Sequence, residues 1–259
     1  MQKKIHILGS GWLGLPLADA LLSKGFNVRI STSNSIKRNA LFSKGYEVDQ
    51  ISISSTSPVS NNFLDCDVLI VAITSKDVSA FENLTSQLSA TSIKQIIFIS
   101  STSVFDFCNC KIDALAPTNN SPIAQIERLF LNELSERTIL LRFSGLFGYD
   151  RKPANFFKYK PISNPNSFVN MIHRDDCIAI IQQLIEKELV NKRYNATADT
   201  HPTKEEFYTK ASLDLGLAAP KIIDTEKVMF KIILNDTLKK DLNYEFKYGD
   251  LMAIDFSTC

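Results

Sequence analysis

Gly9-Ser10-Gly11-Trp12-Leu13-Gly14 follows a short apolar run, Lys4–Leu8, and opens a stretch with Leu13, Leu17, Ala20 and Leu21 at helical spacing. Strand, glycine turn and helix are then completed by a second strand-like run, Phe26–Ile30. In that context each glycine has its own task. Gly9 allows a tight turn, Gly11 lets the backbone approach a pyrophosphate, and Gly14 lets the helix pack on the strand. The helix N-terminus offers unpaired N–H groups and a partial positive charge to phosphates. Pro16 is tolerated because it falls in the first helical turn. The turn therefore predicts a dinucleotide site built on Gly9, Gly11, Trp12, Leu13 and Gly14, with Ala72 also expected beside it.

Strand and helix patterns alternate outward from this turn. Helix is predicted for Ile36–Ser43, closed by Gly45, and a short strand for Gln50–Ile53. Ser54–Asn62 is rich in Ser, Pro and Asn and reads as a loop. Asp67–Ile73 and Ile96–Ser100 are continuous apolar runs of the kind found in central parallel strands. Helices are predicted at Phe81–Ala90 and Ser121–Leu134, and a strand at Thr138–Phe143. The alternation specifies an α/β fold, a doubly wound parallel sheet covered on both faces. Asp150–Ser167 carries three prolines and reads as a long loop or lid. Further helices are expected at Asp175–Lys187, Lys204–Leu215 and Asp236–Leu242. The expected organisation is a dinucleotide-binding domain over 1–150, to which 168–200 return, and a small C-terminal substrate lobe from 151–167 and 201–259.

The cofactor's 2′ position is read at the end of the second strand. NAD-specific sites place a carboxylate there, about twenty residues past the glycines. No Asp or Glu occurs from Ala20 to Tyr46. The chain offers Ser31, Thr32, Ser33 and Asn34, with Lys37 and Arg38 just beyond. Small hydroxyls and cations suit a 2′-phosphate, so NADP is favoured over NAD.

Composition narrows the class. The chain has 259 residues, is 44% hydrophobic and carries a formal net charge of +1. No block of like charge argues for nucleic acid or an anionic membrane. No apolar run is long enough to span a bilayer. Only Ile5–Leu8 separates Lys3 and Lys4 from the glycine turn, too short for a signal peptide, so a cytoplasmic location is expected. The five cysteines (Cys66, Cys108, Cys110, Cys177, Cys259) show no framework spacing and are expected as free thiols. Cys108-Asn109-Cys110 lacks a second pair or a nearby His, so no metal is expected. A small-molecule substrate is the expected partner, and a homo-oligomer is compatible with the sequence.

An ordered set of motifs resembles a known family. GSGWLG is followed by ISSTSVFD (Ile99–Asp106), LLRFSGLFG (Leu140–Gly148), VNMIHRDD (Val169–Asp176) and YNATAD (Tyr194–Asp199). The series is similar to the extended short-chain dehydrogenase/reductases, the NAD(P)-dependent epimerase/dehydratase group, and most like its atypical branch. The resemblance implies a Rossmann domain with a small C-terminal lobe, acting on a sugar-like or other hydroxyl/carbonyl molecule. It implies a catalytic Ser or Thr, Tyr and Lys. The hydroxyl position falls on Ser101, with Thr102 beside it. Asn170 matches a substrate-side position, and Arg142 and Asp175 match residues that brace the family's lobes.

The Tyr and Lys are missing. Aligning Glu127 with the family's glutamate puts Asn119 and Ile123 at the two positions, and a two-residue shift puts Ser121 and Gln125 there. None of the seven tyrosines is followed four residues later by Lys. Asp106, Asp113, Tyr149 and His173 are the other groups considered for proton transfer; Asp106 and Tyr149 are kept as catalytic candidates, and His173 is expected to be structural. Whether the chain turns over is left open. The alternative is a catalytically impaired NADP(H)-binding sensor or regulatory protein.

Overall fold

In the computed structural model, which describes residues 2–223 and 228–259, seven strands form a mostly parallel sheet. In chain order the elements begin β1 (Lys4–Leu8), α1 (Gly14–Ser23), β2 (Asn27–Thr32), α2 (Ser35–Ser43), β3 (Glu47–Gln50), α3 (Asn61–Leu64), β4 (Val68–Val71), α4 (Val78–Ser89) and β5 (Gln95–Ser101). They continue with β6 (Cys110–Ile112), α5 (Pro122–Leu134), β7 (Thr138–Phe143), β8 (Gly145–Phe147), β9 (Ile162–Ser163), β10 (Met171–His173), α6 (Arg174–Glu186) and β11 (Lys192–Ala196). The last are α7 (Lys204–Asp214), β12 (Ile222–Ile223), β13 (Lys231–Ile233) and α8 (Asp236–Leu242). The sheet order is β11-β7-β5-β4-β1-β2-β3. Strand β1 therefore lies between β2 and β4, and the chain runs outward in opposite directions from it. Such a switch point leaves a crevice beyond the carboxyl ends of the strands.

The chain divides into two compact units. The first comprises 1–104, 119–142 and 178–193; the second comprises 105–118, 143–177 and 194–259. Segments 105–118, 143–150, 168–177 and 194–200, grouped with the first domain by sequence, cluster with the second unit.

Burial on both faces explains the apolar strands of the first unit. All four residues of β4 are buried, as are all six of β7. Helices α4 and α5 supply Phe81, Leu84, Leu88, Ile126 and Phe130 to one core layer over β4 and β5. There Phe98 and Phe130 stack at 4.6 Å, and Phe81 meets both rings edge-on. Fully burying each such side chain contributes about 2 kcal/mol.

The expected strand Gln50–Ile53 forms three residues earlier, as β3. Register decides this: Glu47–Gln50 pair with Arg29–Thr32 of β2, and the ladder closes at the bond from Ile51 N to Thr32 O. The edge strand is polar because Glu47 and Asp49 both pair with Arg29, at 3.2 and 3.7 Å. Hydrophobic alternation does not mark such a strand. Helix α4 starts before the expected Phe81 because Asp77 caps it, accepting from Ala80 N at 3.1 Å.

The second unit has its own core of Phe147, Val169, Met171, Phe207, Leu251 and Phe256. Its strands form two-stranded parallel pairs, β8 with β10, β9 with β12 and β6 with β13. Helix α7 starts at a capping box between Thr203 and Glu206. The segment expected as a loop over 150–167 contains a 3-10 turn at Pro153–Phe156 and the short strand β9.

The expectation of free thiols fails at one place. Cys108 and Cys110 are joined by a disulfide, with Cα atoms 5.2 Å apart. Asn109 between them is left-handed, φ +52°, which turns both side chains to the same side. Cys66 and Cys177 are free and buried, and Cys259 is free and half-buried.

Candidate cofactor and catalytic sites

Beyond β1 the chain reverses at Gly9, φ +112°. A Cβ there would stand 2.7 Å from the Ala72 carbonyl oxygen and 2.9 Å from the Ile73 side chain. A Cβ on Gly14 would overlap the Gly9 carbonyl oxygen. These two glycines are thus required by the protein's own packing. Gly11 is not, because nothing lies within 4 Å of the Cβ it lacks. Helix α1 begins beside this open face with no side-chain cap. Its first N–H groups are therefore positioned for an anion. Ser10 is 2% exposed, and its buried Oγ has no hydrogen-bond partner. A hydroxyl left in that state at a cleft fits a ligand oxygen.

The cleft above this turn has a volume of about 350 Å³. Gly9-Ser10-Gly11 form its floor, Ser31-Thr32-Ser33 and Lys37 one wall, Ala72–Ser75 another, and Ile51–Ile53 an apolar lip. Ser31 Oγ accepts from Gly9 N at 3.0 Å and so fixes the turn to β2. Among the described residues, no carboxylate lines the cleft. Lys37 Nζ donates to Ser10 O at 2.5 Å, holding its charge at the cleft wall. Asn34 instead caps α2, its side chain accepting from Lys37 N at 2.8 Å. Arg38 packs over the Phe42 ring at 5.1 Å and lines a neighbouring groove with Tyr46 and Glu47. Among the expected 2′-side residues, Thr32 and Ser33 thus line the cleft, whereas Asn34 and Arg38 do not. The donor set fits a dinucleotide cofactor: an open glycine face, a helix N-terminus, hydroxyls and a lysine.

At the end of β5, Ser101 Oγ accepts from Ser103 N at 3.1 Å, and its hydroxyl shapes a local 3-10 turn. Its neighbour Ser100 donates to Glu127 Oε1 at 2.6 Å. Glu127 is held bidentately by Arg142, at 2.7 and 2.6 Å, and both side chains are 2% exposed. That carboxylate is committed to a buried pair. At the positions corresponding to the missing Tyr and Lys, the Asn119 and Gln125 side chains make local bonds, whereas the Ser121 Oγ is buried without a hydrogen-bond partner. Asn119 donates from Nδ2 to Ser103 O at 3.1 Å and accepts from Ser121 N at 3.0 Å. Ser121 is the N-cap of α5, and Gln125 donates to Asn120 O at 3.0 Å. Ile123 completes the set. None of these side chains ionises near neutrality.

In the second unit, Tyr149 is 47% exposed and donates its phenol proton to Asp175 Oδ1 at 2.7 Å. That bond is the chief reason its pKa is raised. Lys247 donates to the other oxygen of Asp175 at 3.1 Å, and the Arg174 guanidinium lies 3.8 Å from the Tyr149 ring centre. His173 is buried against Tyr248, with ring centres 3.8 Å apart. Burial pushes its pKa down to about 4, so it is neutral. Its Nδ1 accepts from Asp175 N at 3.2 Å, which places the proton on Nε2. Asn170 uses both ends of its amide on β13, donating to Lys231 O at 2.9 Å and accepting from Ile233 N at 2.8 Å. Asp106 is exposed. Among the described residues, no cluster of His, Cys, Asp and Glu has a metal-binding arrangement.

The sequence placed Ser31 among the hydroxyls closing the second strand, and it lines the cleft. It did not single out Ser10, Ile51–Ile53 or Ile73–Ser75; of these only Ile73–Ser75 carried a signal, since the ends of parallel strands on either side of a switch point face the crevice.

The profile of a family described as NAD(P)H-binding matches residues 9–142. Protein YeeZ of Escherichia coli strain K12 is 28% identical, over 98% of this chain and 99% of its own. Among solved structures, a functionally unknown conserved protein from Silicibacter pomeroyi superposes with a TM-score of 0.83 at 17% identity, covering 99% of this chain and 97% of the other. UDP-glucuronic acid 4-epimerase from Bacillus cereus, in complex with NAD, gives 0.74 at 17% identity, covering 98% of each chain. The human epimerase family protein SDR39U1, with NADPH, gives 0.73 at 14% identity, also covering 98% of each.

Proposed function

This chain belongs to the NAD(P)H-binding family, and we propose that it binds NADP(H) in preference to NAD(H) and acts on a sugar-like or other hydroxyl/carbonyl small molecule. The observation that carries the cofactor reading is Gly11, a glycine that no contact within the protein requires, facing an open cleft. Gly9, Trp12, Leu13, Gly14 and Ala72 would frame the pyrophosphate. Thr32 and Ser33 would receive the 2′-phosphate, with Lys37 neutralising it. The preference follows from the cleft wall: a lysine and hydroxyls attract a phosphate, and among the described residues no carboxylate lines the cleft to repel it.

Bound there, the nicotinamide would supply hydride exchange. Ser101 would hydrogen-bond the reacting oxygen and Asn170 would stand on the substrate side. The proton is the harder part, because a positioned acid or base contributes roughly 10²–10⁴-fold. The two candidates are Tyr149, whose phenol donates to Asp175, and exposed Asp106. The second reading, a cofactor sensor without turnover, is favoured by the local bonds that occupy the Asn119 and Gln125 side chains.

Mixing the protein with NADPH and a panel of carbonyl compounds, and following nicotinamide absorbance, separates the two. The enzymatic reading expects oxidation with at least one carbonyl, slowed about tenfold or more by Ser101→Ala or Asp106→Asn. Binding without oxidation across the panel would rule out a net reductase and leave the sensor reading beside a redox-neutral epimerase or dehydratase, which conversion of a sugar-nucleotide panel followed by chromatography then separates.

A further inference from the structure

Cys108 and Cys110 are joined across a single residue, and Cys108, Asn109 and Cys110 are all exposed. A cross-link earns its stabilising effect by restricting the unfolded chain, and that effect is smallest for the shortest loops. Stability therefore gives little reason for this bond. Its surroundings give a better one. Asn109, held left-handed, donates from Nδ2 to Val228 O at 3.2 Å and accepts from Phe230 N at 2.8 Å. The backbone N–H groups of Cys108 and Asn109 both donate to Phe230 O, at 3.2 and 2.9 Å. Immediately afterwards Cys110 pairs with Lys231 as β6 meets β13. The same β13 carries the two bonds to the Asn170 amide.

We propose that Cys108-Asn109-Cys110 is a reversible dithiol–disulfide site, open to small thiols and disulfides, whose state sets how firmly β6 holds β13. The three remaining cysteines do not compete. Cys66 and Cys177 are buried, and burial pushes the Cys66 thiol up to about 12 and the Cys259 thiol up to about 11, leaving both protonated near neutrality. A thiolate is the reacting form. Oxidation by a small disulfide such as glutathione disulfide proceeds in two exchanges. One cysteine thiolate attacks a sulfur of the oxidant, forming a mixed disulfide and releasing one glutathione thiol. The second cysteine thiolate attacks the protein sulfur of that mixed disulfide and releases the other. The protein loses two electrons and two protons, and the oxidant gains both as two thiols. In the reduced chain Asn109 is no longer confined by a ring. Without the ring the backbone at Asn109 samples more conformations, so holding its bonds to Val228 and Phe230 costs more entropy and they open more often.

The test is equilibration of the full chain in glutathione buffers of stepped ratio, followed by acid quench, alkylation and peptide mass mapping. The expected result is that the peptide holding Cys108 and Cys110 passes from mostly dithiol to mostly disulfide over about a hundredfold change in the squared-thiol to disulfide ratio, the span of a two-electron couple. Cys259→Ser should leave the curve unchanged. Hydrogen exchange on the two end states should show the amides of Cys108, Asn109 and Phe230 exchanging several-fold faster when reduced. A peptide that keeps one state across the series, or stops at a single glutathione adduct, would overturn the redox site. A peptide that switches with identical amide exchange would overturn its link to β13.

Discussion

Gly11 and Gly14 stand three residues apart and make opposite demands. A methyl group on Gly14 would collide with the Gly9 carbonyl oxygen; one on Gly11 would meet only open space. Gly14→Ala should therefore cost about 1–3 kcal/mol of stability, the usual range for overpacking, in urea unfolding. Gly11→Ala should change stability by no more than about 0.5 kcal/mol, as surface substitutions do, yet weaken NADPH binding markedly in calorimetry. If both variants lost stability equally, Gly11 would be a packing residue and the cofactor reading would lose its main support. Lys37 makes the charge argument at the same scale. Lys37→Ala should cost NADPH about 1.5–3 kcal/mol, the value of a hydrogen bond to a charged group, and leave NADH nearly untouched. The glycines were legible in the sequence because their spacing is an ordered requirement. Which of Lys37 and Arg38 faces the cleft was not. That depends on the rotation of α2, fixed by Asn34 at its N-terminus and by Phe42 under the guanidinium.

Helix α2 shows how a capping residue supports a site without touching ligand. Asn34 closes its first turn and bonds the N–H of Lys37 itself. Asn34→Ala should cost about 1 kcal/mol through the lost cap, measurable by denaturant unfolding. It should weaken NADPH less than Lys37→Ala does. A variant of unchanged stability would show that the cap contributes nothing. The apolar elements β1, β4, β5 and β7 could be read from sequence because burial on both faces leaves continuous runs. The polar edge strand β3 and the short pairs of the second unit could not. Their partners are distant in sequence, and their residues follow neither helical nor alternating periods. The disulfide was hidden for a related reason: it rests on the left-handed turn of Asn109, a backbone state that two cysteines and an asparagine permit but do not dictate.

Across the whole chain the three histidines share one feature. Burial lowers the pKa of His6, His173 and His201, for His173 to about 4. An unfolded histidine titrates near 6.5. Between those values the unfolded state binds more protons than the folded one, so stability rises with pH. The contribution is fully present above about pH 6.5 and is lost as pH falls toward 4, about 3 kcal/mol for His173 alone. Asp176, whose pKa burial raises, works against this at the acid end. Urea midpoints should therefore fall between pH 7 and 5, and His173→Gln should flatten the slope; an equal slope in that variant would contradict the assignment. At this scale the sequence carried the doubly wound architecture and the family. The missing catalytic pair was equally legible, because no rearrangement can supply a Tyr–Lys spacing the chain does not contain. What the sequence could not show is that local hydrogen bonds occupy the Asn119 and Gln125 side chains.

The central claim, a cleft that holds NADP(H) in preference to NAD(H), is tested most directly by titrating the protein with NADPH and NADH while following energy transfer from Trp12 to the nicotinamide. Trp12 is the chain's one tryptophan and lies within the glycine turn. The account predicts saturable quenching by NADPH in the micromolar range, with NADH weaker by about tenfold or more, as expected when a charged hydrogen bond is lost. Equal affinity for the two would contradict the role given to Lys37, Thr32 and Ser33. Binding of neither, confirmed by calorimetry, would contradict the cofactor site itself.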